Sequence, residues 1–216
     1  VIAVIDYGVG NLFSLKSSLS AIGQEAVVTR DQEELDRADH ILLPGVGAFG
    51  DAVEKLRSTG MDRAVLRQAA AGKPLLGICL GMQLLFETSF EYGEHQGLGL
   101  ISGQVRDIGT VLPSGLAIPH MIPAGLAVPH MGWNALRFPA ERPRSPIFRA
   151  LEEGTHVYFV HSFAGFDCKG QCTATTEYGA ELTAAVQNGN VYGTQFHPEK
   201  SGAVGLTILK AFCELE

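Results

Sequence analysis

Four short apolar runs in the first eighty residues are separated by segments with helical spacing. The runs are VIAVI at 1–5, EAVVT at 25–29, HILLP at 40–44 and PLLGI at 74–78. Asn11 can cap a helix that starts at Leu12 and ends at Gly23. Segments 51–58 and 61–72 carry apolar residues three and four positions apart, which is typical of helices. This alternation predicts an α/β fold in which a mostly parallel sheet is covered by helices on both faces.

After about residue 97 the pattern changes to strand-like runs with few helices between them. These runs lie at 99–109, 133–138, 155–163, 172–178, 182–187 and 191–196. Glycine, proline and Asn-Gly signals join them, which indicates a mixed or antiparallel extension packed on the first sheet. A final helix is predicted over 203–215, and no segment has the composition of a linker. We therefore expect one domain over residues 1–216.

Composition excludes several classes of function. The chain has 216 residues, of which 46% are hydrophobic and 18% charged, values that are ordinary for a globular enzyme. Its formal charge of −7 and the lack of a basic stripe argue against binding to nucleic acid or to an anionic membrane. The opening residues lack the features of a signal peptide, and no apolar run is long enough to span a bilayer. The four cysteines have no disulfide-framework spacing, so a reducing, cytoplasmic setting is expected.

Cys79 stands in the segment Gly77-Ile78-Cys79-Leu80-Gly81, between an apolar strand and the helical run MQLLFE. This is the glycine-flanked pattern of a nucleophile elbow, with cysteine at the position of the nucleophile. The helix that follows would favour the thiolate, because amide dipoles at a helix N-terminus stabilise negative charge. A buried core cysteine is the alternative interpretation.

A histidine and a glutamate near the C-terminus could serve this nucleophile. His197 and Glu199 follow the strand-like run VYGTQF and are two residues apart, so in an extended segment their side chains leave on the same side. Glu199 could orient the imidazole while the other ring nitrogen faces Cys79. In isolation the segment could equally be a polar turn.

The glycine-rich loop PGVGAFG at 44–50 follows the third apolar run. Such a loop at the carboxyl end of a parallel strand presents backbone N–H groups to a ligand crevice. It lacks the Gly-Lys-Ser/Thr ending of a phosphate-binding loop. With a cysteine nucleophile, an oxyanion hole made by a loop N–H and that of Leu80 is the better interpretation.

The segments PGVGAFG, GICLGMQLLFE and FHPEKS together resemble the class I glutamine amidotransferases, in that family's order and over the whole chain. The resemblance implies that Cys79 attacks the side-chain amide of glutamine to form a thioester, that His197 moves protons and that Glu199 orients His197. No cofactor and no metal are implied. The oxyanion hole it implies is formed by Val46, Gly47 and Leu80. The glutamine contacts it implies are Gly45, Gly47, Gln83, Glu91, Ser162 and Phe163.

Further runs, DYGVGN at 6–11, PHMGWN at 129–134 and YFVHS at 158–162, are similar to the glutaminase subunits of imidazole glycerol phosphate synthases. This resemblance implies a (β/α)₈-barrel cyclase subunit as partner, which receives ammonia and uses it in histidine biosynthesis. The residues it places at the partner interface or channel are Asn11, Pro129, Met131, Trp133, Tyr158 and Lys200. The alternatives are an amidotransferase serving another acceptor, or a non-catalytic interaction module with the same fold.

Two features of the sequence could be taken for a metal site, but each has a simpler interpretation. Residues 113–122 are nearly repeated at 123–132, which gives two Pro-His-Met triplets, at His120 and at His130. Only the second copy continues into Gly-Trp-Asn, so we interpret 113–122 as a tandem duplication in a surface loop. The pair Cys168 and Cys172 lacks the two further ligands of a structural zinc site and is predicted to lie in a hairpin turn.

Overall fold

The computed structural model describes residues 1–112, 128–168 and 170–216. The strands of its largest sheet are β1 (Ile2–Ile5), β2 (Ala26–Thr29), β3 (His40–Leu43), β4 (Leu75–Ile78), β11 (Cys172–Glu177), β12 (Glu181–Asn188) and β13 (Val191–Thr194). They lie in the order β11-β12-β13-β4-β3-β1-β2. The five strands from β13 to β2 are parallel, whereas β11, β12 and β13 are antiparallel to one another. The central strands β1, β3, β4 and β13 are buried along their whole length, as expected for a sheet covered on both faces.

Six α-helices accompany this sheet in the described part of the chain. They are α1 (Leu12–Ala21), α2 (Gln32–Arg37), α3 (Phe49–Ser58), α4 (Met61–Ala70), α5 (Leu80–Leu84) and α6 (Gly202–Cys213). In α3 the buried residues Phe49, Ala52, Val53 and Leu56 have the spacing of a single helical face. None of the described helices is long and apolar enough to cross a membrane.

The two faces of the sheet are covered by separate hydrophobic clusters. Successive residues of β1 alternate between them, since side chains along a strand point to opposite faces: Ala3 and Ile5 join one cluster, Ile2 and Val4 the other. The first cluster includes buried residues of α2, α3, α4 and α5, and the second includes those of α1 and α6. The parallel sheet with helices on both faces therefore confirms the predicted α/β fold class.

The remaining strands form two smaller sheets. They are β5 (Phe86–Ser89), β6 (His95–Gln96), β7 (Ile101–Asp107), β8 (His130–Ala135), β9 (His156–His161) and β10 (Phe163–Phe166). One sheet has the order β10-β7-β5-β6, and the other consists of β8 and β9 paired antiparallel. The run 155–163, predicted as one strand, is interrupted at Ser162, because β9 and β10 belong to different sheets.

Three details of the sequence-based fold were wrong. The predicted extension is in part a continuation of the main sheet, because β13 pairs in parallel with β4. The helical run MQLLFE ends early: Phe86 and Glu87 lie in β5, where Phe86 pairs with Ile101 of β7. The pair Cys168 and Cys172 was predicted to lie in a hairpin turn, but the strands before and after it, β10 and β11, belong to different sheets.

Two predictions about the organisation of the chain stay predictions. The duplicated segment 113–122, with most of its second copy, lies outside the described residues. The single-domain assignment stays a prediction.

Candidate active site

The candidate site lies where three neighbouring parallel strands end. Strands β3, β4 and β13 are adjacent in the sheet and run in the same direction, so their carboxyl ends meet at one edge. The glycine-rich loop follows β3, Cys79 follows β4, and His197 follows β13 by three residues. The central position of β4 therefore puts Cys79 between the loop and the histidine, at the edge where open α/β sheets bind ligands.

Cys79 has a backbone conformation that residues with a side chain rarely adopt, with φ 54° and ψ −112°. The two flanking glycines allow the tight turn. A Cβ on Gly81 would lie 1.8 Å from the carbonyl oxygen of Leu43, and one on Gly77 would lie 2.6 Å from that of Gly81. Strain of this kind is concentrated at functional sites in proteins. The Cys79 Sγ lies 3.8 Å from Nε2 of Gln195, which donates to it.

His197 and Glu199 form a buried pair. Nδ1 of His197 lies 2.8 Å from Oε1 of Glu199, and their side chains are 2% and 4% exposed. Burial alone would lower the pKa of His197, but the nearby Cys79 sulfur and the Glu199 carboxylate outweigh burial and raise that pKa to about 9. Nε2 of His197 has no hydrogen-bond partner within the described part of the chain, and so it remains free for a proton transfer.

The backbone of His197 is fixed to β9. Its N–H donates to the carbonyl oxygen of Tyr158 at 3.0 Å. The Ser201 hydroxyl donates to the carbonyl oxygen of His197 at 2.7 Å and accepts from the N–H of Tyr158 at 3.0 Å. These three bonds close a ring between the two segments, so the position of the imidazole depends on that of β9.

Cys79 and His197 line one pocket of about 400 Å³. The predicted oxyanion and substrate residues around it are Val46, Gly47, Leu80, Gln83, Glu91, Ser162 and Phe163. Gly45 is not among the residues that line it. A Cβ on Gly45 would lie 2.6 Å from the amide nitrogen of Gly81, and so this glycine lets the loop pack closely against the turn at Cys79. Glu199 lies behind His197, in a small cavity shared with Asn11.

Two predicted substrate contacts already hold other parts of the site together. The Gln83 amide donates to the carbonyl oxygen of Phe163 and to Oε1 of Gln195, both at 3.0 Å. Glu91 accepts a hydrogen bond of 2.8 Å from the N–H of Phe49, the first residue of α3, and so caps that helix from outside. Burial raises the pKa of Glu91.

The glycine-rich loop is also anchored from β1. Tyr7, two residues beyond β1, donates its hydroxyl proton to the carbonyl oxygen of Pro44 at 2.8 Å. Burial, followed by the charge of the nearby Cys79, raises the pKa of Tyr7, so the hydroxyl keeps this proton. Gly47 has φ 97°, a conformation that favours glycine.

Five of the six predicted interface residues divide into two groups, and Asn11 stands apart. Pro129 and Lys200 line the pocket itself. Met131 and Trp133 are 61% and 56% exposed on β8, and Trp133 packs edge-to-face on Tyr158 of β9 with ring centroids 6.1 Å apart. Exposed large side chains of this kind are typical of protein interfaces. Asn11, the remaining one, caps α1.

Several residues of the site were not predicted. Tyr92, Val160 and His161 line the pocket, and Gln195 contacts the Cys79 sulfur. Gln195 directly follows a strand of the main sheet, which is the signal that could have identified it. His161 lies in the run YFVHS, but its contact with His130 joins residues 31 positions apart, and no local pattern indicates it. Among the described residues, no group of three or more histidine, cysteine, aspartate or glutamate side chains is placed to hold a metal ion.

Comparison with known proteins identifies the class and then the family. A family model described as glutamine amidotransferase class-I matches residues 3–214. The imidazole glycerol phosphate synthase subunit HisH of Moorella thermoacetica is 47% identical over 215 residues, which are 99% of this chain and 94% of the relative. The subunit of the same name from Wolinella succinogenes is 45% identical over 217 residues, which are 100% of both chains. The chain therefore belongs to the class-I glutamine amidotransferases and, within them, to the family of HisH subunits.

A solved structure supports the fold independently. A protein described as a glutamine amidotransferase superimposes with a TM-score of 0.71 at 21% sequence identity, over 99% of this chain and 97% of its own.

Proposed function

We propose that this chain is the glutaminase subunit of an imidazole glycerol phosphate synthase, which hydrolyses glutamine and passes ammonia to a cyclase subunit in histidine biosynthesis. The observation that carries this proposal is the strained Cys79 in one pocket with His197, whose other ring nitrogen contacts Glu199 behind it. Membership of the HisH family supports the pathway and the partner.

In the first half of the proposed reaction, the Cys79 thiolate attacks the side-chain carbonyl carbon of glutamine. The charge that develops on the carbonyl oxygen is stabilised by backbone N–H groups at Leu80 and in the loop at Val46 and Gly47. The intermediate collapses as protonated His197 gives its proton to the amide nitrogen, so that ammonia leaves and a thioester remains. The raised pKa of His197, about 9, keeps this proton available at neutral pH.

In the second half, neutral His197 takes a proton from water, and the hydroxide attacks the thioester carbonyl. The carbon–sulfur bond breaks, glutamate leaves, and the Cys79 thiolate and the His197 imidazolium are restored. Glu199 holds Nδ1 of His197 throughout and offsets the charge of the imidazolium, as expected for the third member of such a triad.

The remaining pocket residues match the ends of glutamine. Glu91 supplies a carboxylate for the substrate ammonium group. Ser162 is the break between β9 and β10 and Phe163 begins β10, so backbone groups of this segment can reach a ligand. Met131 and Trp133, exposed near this pocket on β8, supply an apolar surface for the cyclase subunit, which we expect to be a (β/α)₈ barrel.

The test compares two cysteine variants in the complex with the cyclase subunit. Cys79→Ala should abolish glutamine-dependent product formation and leave turnover with added ammonia intact, because the cyclase site lies on the other chain. Cys213→Ala, at a partly buried position of α6, is the matched control and should retain both activities. Product formed from glutamine by the Cys79→Ala complex would show that another group is the nucleophile.

A further inference from the structure

A chain of hydrogen bonds, buried at its two histidine rings, runs from Asn134 of β8 to the pocket. Nδ2 of Asn134 lies 3.3 Å from Nε2 of His130, and Nδ1 of His130 lies 3.0 Å from Nε2 of His161. Nδ1 of His161 lies 2.8 Å from the carbonyl oxygen of Phe163. His130 and His161 are 2% and 6% exposed, and they face each other as register partners on β8 and β9.

Backbone groups at both ends set the direction of every bond in this chain. A carbonyl oxygen only accepts, so the proton of His161 is on Nδ1, and its Nε2 must accept from His130. At the other end, Asn134 donates from Nδ2 to the carbonyl oxygen of Glu177 and accepts at Oδ1 from the N–H of Ala135, both at 2.8 Å. The amide orientation is thereby fixed, and Nε2 of His130 must accept. The opposite tautomer of either ring would bring two donors or two acceptors face to face.

The surroundings keep both rings neutral. Burial lowers the pKa of His130 to about 4 and that of His161 to about 3. The His130 ring is stacked between Tyr178 and Phe159, with centroid distances of 3.9 and 4.7 Å. Each ring nitrogen is thus satisfied without charge, and rotation of either ring would leave buried polar atoms unpaired.

The group held at the end of this hydrogen-bond chain is the carbonyl of Phe163, which belongs to the substrate pocket. The Phe163 carbonyl oxygen accepts from His161 and, at 3.0 Å, from the amide of Gln83. The preceding carbonyl, that of Ser162, accepts from the N–H of Ile108 at 3.0 Å. Ser162 lies at the break between two sheets, and Phe163 is the first residue of β10, where its pairing with Asp107 begins the ladder with β7. Besides this end of the ladder, three donors hold the carbonyl groups of the segment, and the His161 ring is one of them.

We propose that His161 is a positioning residue of the glutaminase site: with its ring oriented by His130 and Asn134, it fixes the Ser162–Phe163 segment that contacts glutamine. This inference rests on the proposed function, because it assigns His161 an effect on glutamine binding. The chain transfers no proton in this role, since its rings stay neutral and its last acceptor is a backbone carbonyl.

Two variants of His161 each remove one of the two hydrogen bonds that its ring makes. Asparagine places an amide NH₂ close to the position of Nδ1, so His161→Asn can still donate to the Phe163 carbonyl but not accept from His130. Glutamine reaches the position of Nε2, so His161→Gln can accept from His130 but leaves the Phe163 carbonyl without this donor. Each variant loses one of two bonds, and so a purely structural role predicts similar melting temperatures and an unchanged KM in both.

The experiment measures kcat and KM for glutamine in the complex with the cyclase subunit. We expect His161→Gln to raise KM about tenfold with kcat within about threefold of the wild type, and His161→Asn to raise KM less than about threefold. His130→Asn and His130→Gln, one step further from the pocket, should show the same order with smaller effects. Equal KM values for both His161 variants would overturn the proposal.

A spectroscopic measurement is independent of activity. In ¹⁵N-labelled protein at pH 7, the side-chain resonances of both histidines should be those of neutral Nδ1–H tautomers. An Nε2–H tautomer or an imidazolium at either histidine would show that the hydrogen-bond chain does not form, and would overturn the proposal. The wild-type complex could also hydrolyse no glutamine while both histidines show the expected tautomers. That result would refute the glutaminase assignment and, with it, the proposed effect of His161 on KM. It would leave the hydrogen-bond chain itself confirmed.

Discussion

Replacing Glu199 with glutamine removes one charge from the candidate site and keeps the size of the side chain. Oε1 of Glu199 lies 2.8 Å from Nδ1 of His197, and both side chains are nearly inaccessible to solvent, so water cannot screen the pair. The amide oxygen of the variant can still accept from Nδ1. Glu199→Gln therefore tests the charge of Glu199 rather than its shape.

The size of the effect follows from the pKa of His197. Its rise from 6.5 to about 9 in the folded protein corresponds to about 3 kcal/mol of stability. Because the folded pKa is raised, this stability is fully present below pH 6.5 and is lost as the pH rises through 9. Cys79 and Glu199 both contribute to the rise, so the variant should lose roughly half of it, about 1.5 kcal/mol.

The assay is thermal unfolding between pH 6 and 9.5, with glutaminase kinetics on the same samples. In a chain of this length about 1.5 kcal/mol corresponds to a melting temperature change of about 3–6 °C. The decrease in melting temperature from pH 6.5 to 9 should therefore be smaller by this amount in Glu199→Gln. We also expect kcat to fall on the order of 10²-fold at pH 7, because a neutral amide no longer offsets the charge that His197 carries in the transition state.

Glu54→Gln, which removes one charge from an exposed position of α3, is the control and should follow the wild type. The same pH dependence and the same kcat in Glu199→Gln and in the wild type would refute the assignment of Glu199 as the partner of His197.

Two further predictions concern the pocket wall. Glu91→Gln should raise KM for glutamine about tenfold, because the substrate ammonium group loses the carboxylate that binds it. The melting temperature of this variant at pH 7 should be equal to that of the wild type or higher. Burial raises the pKa of Glu91, so the wild-type folded state holds an unfavourable charge that the variant lacks. A lower melting temperature with unchanged KM would assign Glu91 to helix capping alone. Gly45→Ala should destabilise the protein by about 1–3 kcal/mol in denaturant unfolding, because its Cβ would lie 2.6 Å from a backbone nitrogen. The control Gly170→Ala has open space around its Cβ and should leave the stability unchanged. Equal stabilities of the two variants would contradict the packing argument.

The parts of the fold that the sequence predicts are those in which local pattern and tertiary environment agree. The first four strands are short apolar runs; β1, β3 and β4 are buried along their whole length, and β2, next to β1, is partly buried. Helix α2 was missed because five of its six residues are polar and only Leu35 is buried, so it has no apolar period. The helix after Cys79 was predicted too long because pairing of Phe86 with β7 overrides the helical preference of that segment.

Within the candidate site, the predictable residues are those attached to the ends of strands. Cys79 and the loop at 44–50 follow buried strands directly, and parallel strands bring such positions together at one edge. The contacts of Gln195 with Gln83, and of His161 with His130, join residues 112 and 31 positions apart. No local pattern encodes those pairings: Gln195 and Gln83 follow the neighbouring strands β13 and β4, and His161 and His130 are register partners on β9 and β8.

Two imidazoles line this pocket, and their surroundings give them opposite properties. His197 lies against a carboxylate and a sulfur, and its pKa rises to about 9. His161 lies against a carbonyl oxygen and a neutral ring, and burial lowers its pKa to about 3. At neutral pH one ring therefore carries a proton that it can give, and the other can neither gain nor release one easily. A pocket with two exchangeable imidazoles could protonate the leaving group from two directions, whereas this arrangement favours the proposed division of roles, in which His197 is the proton donor and His161 holds the substrate segment.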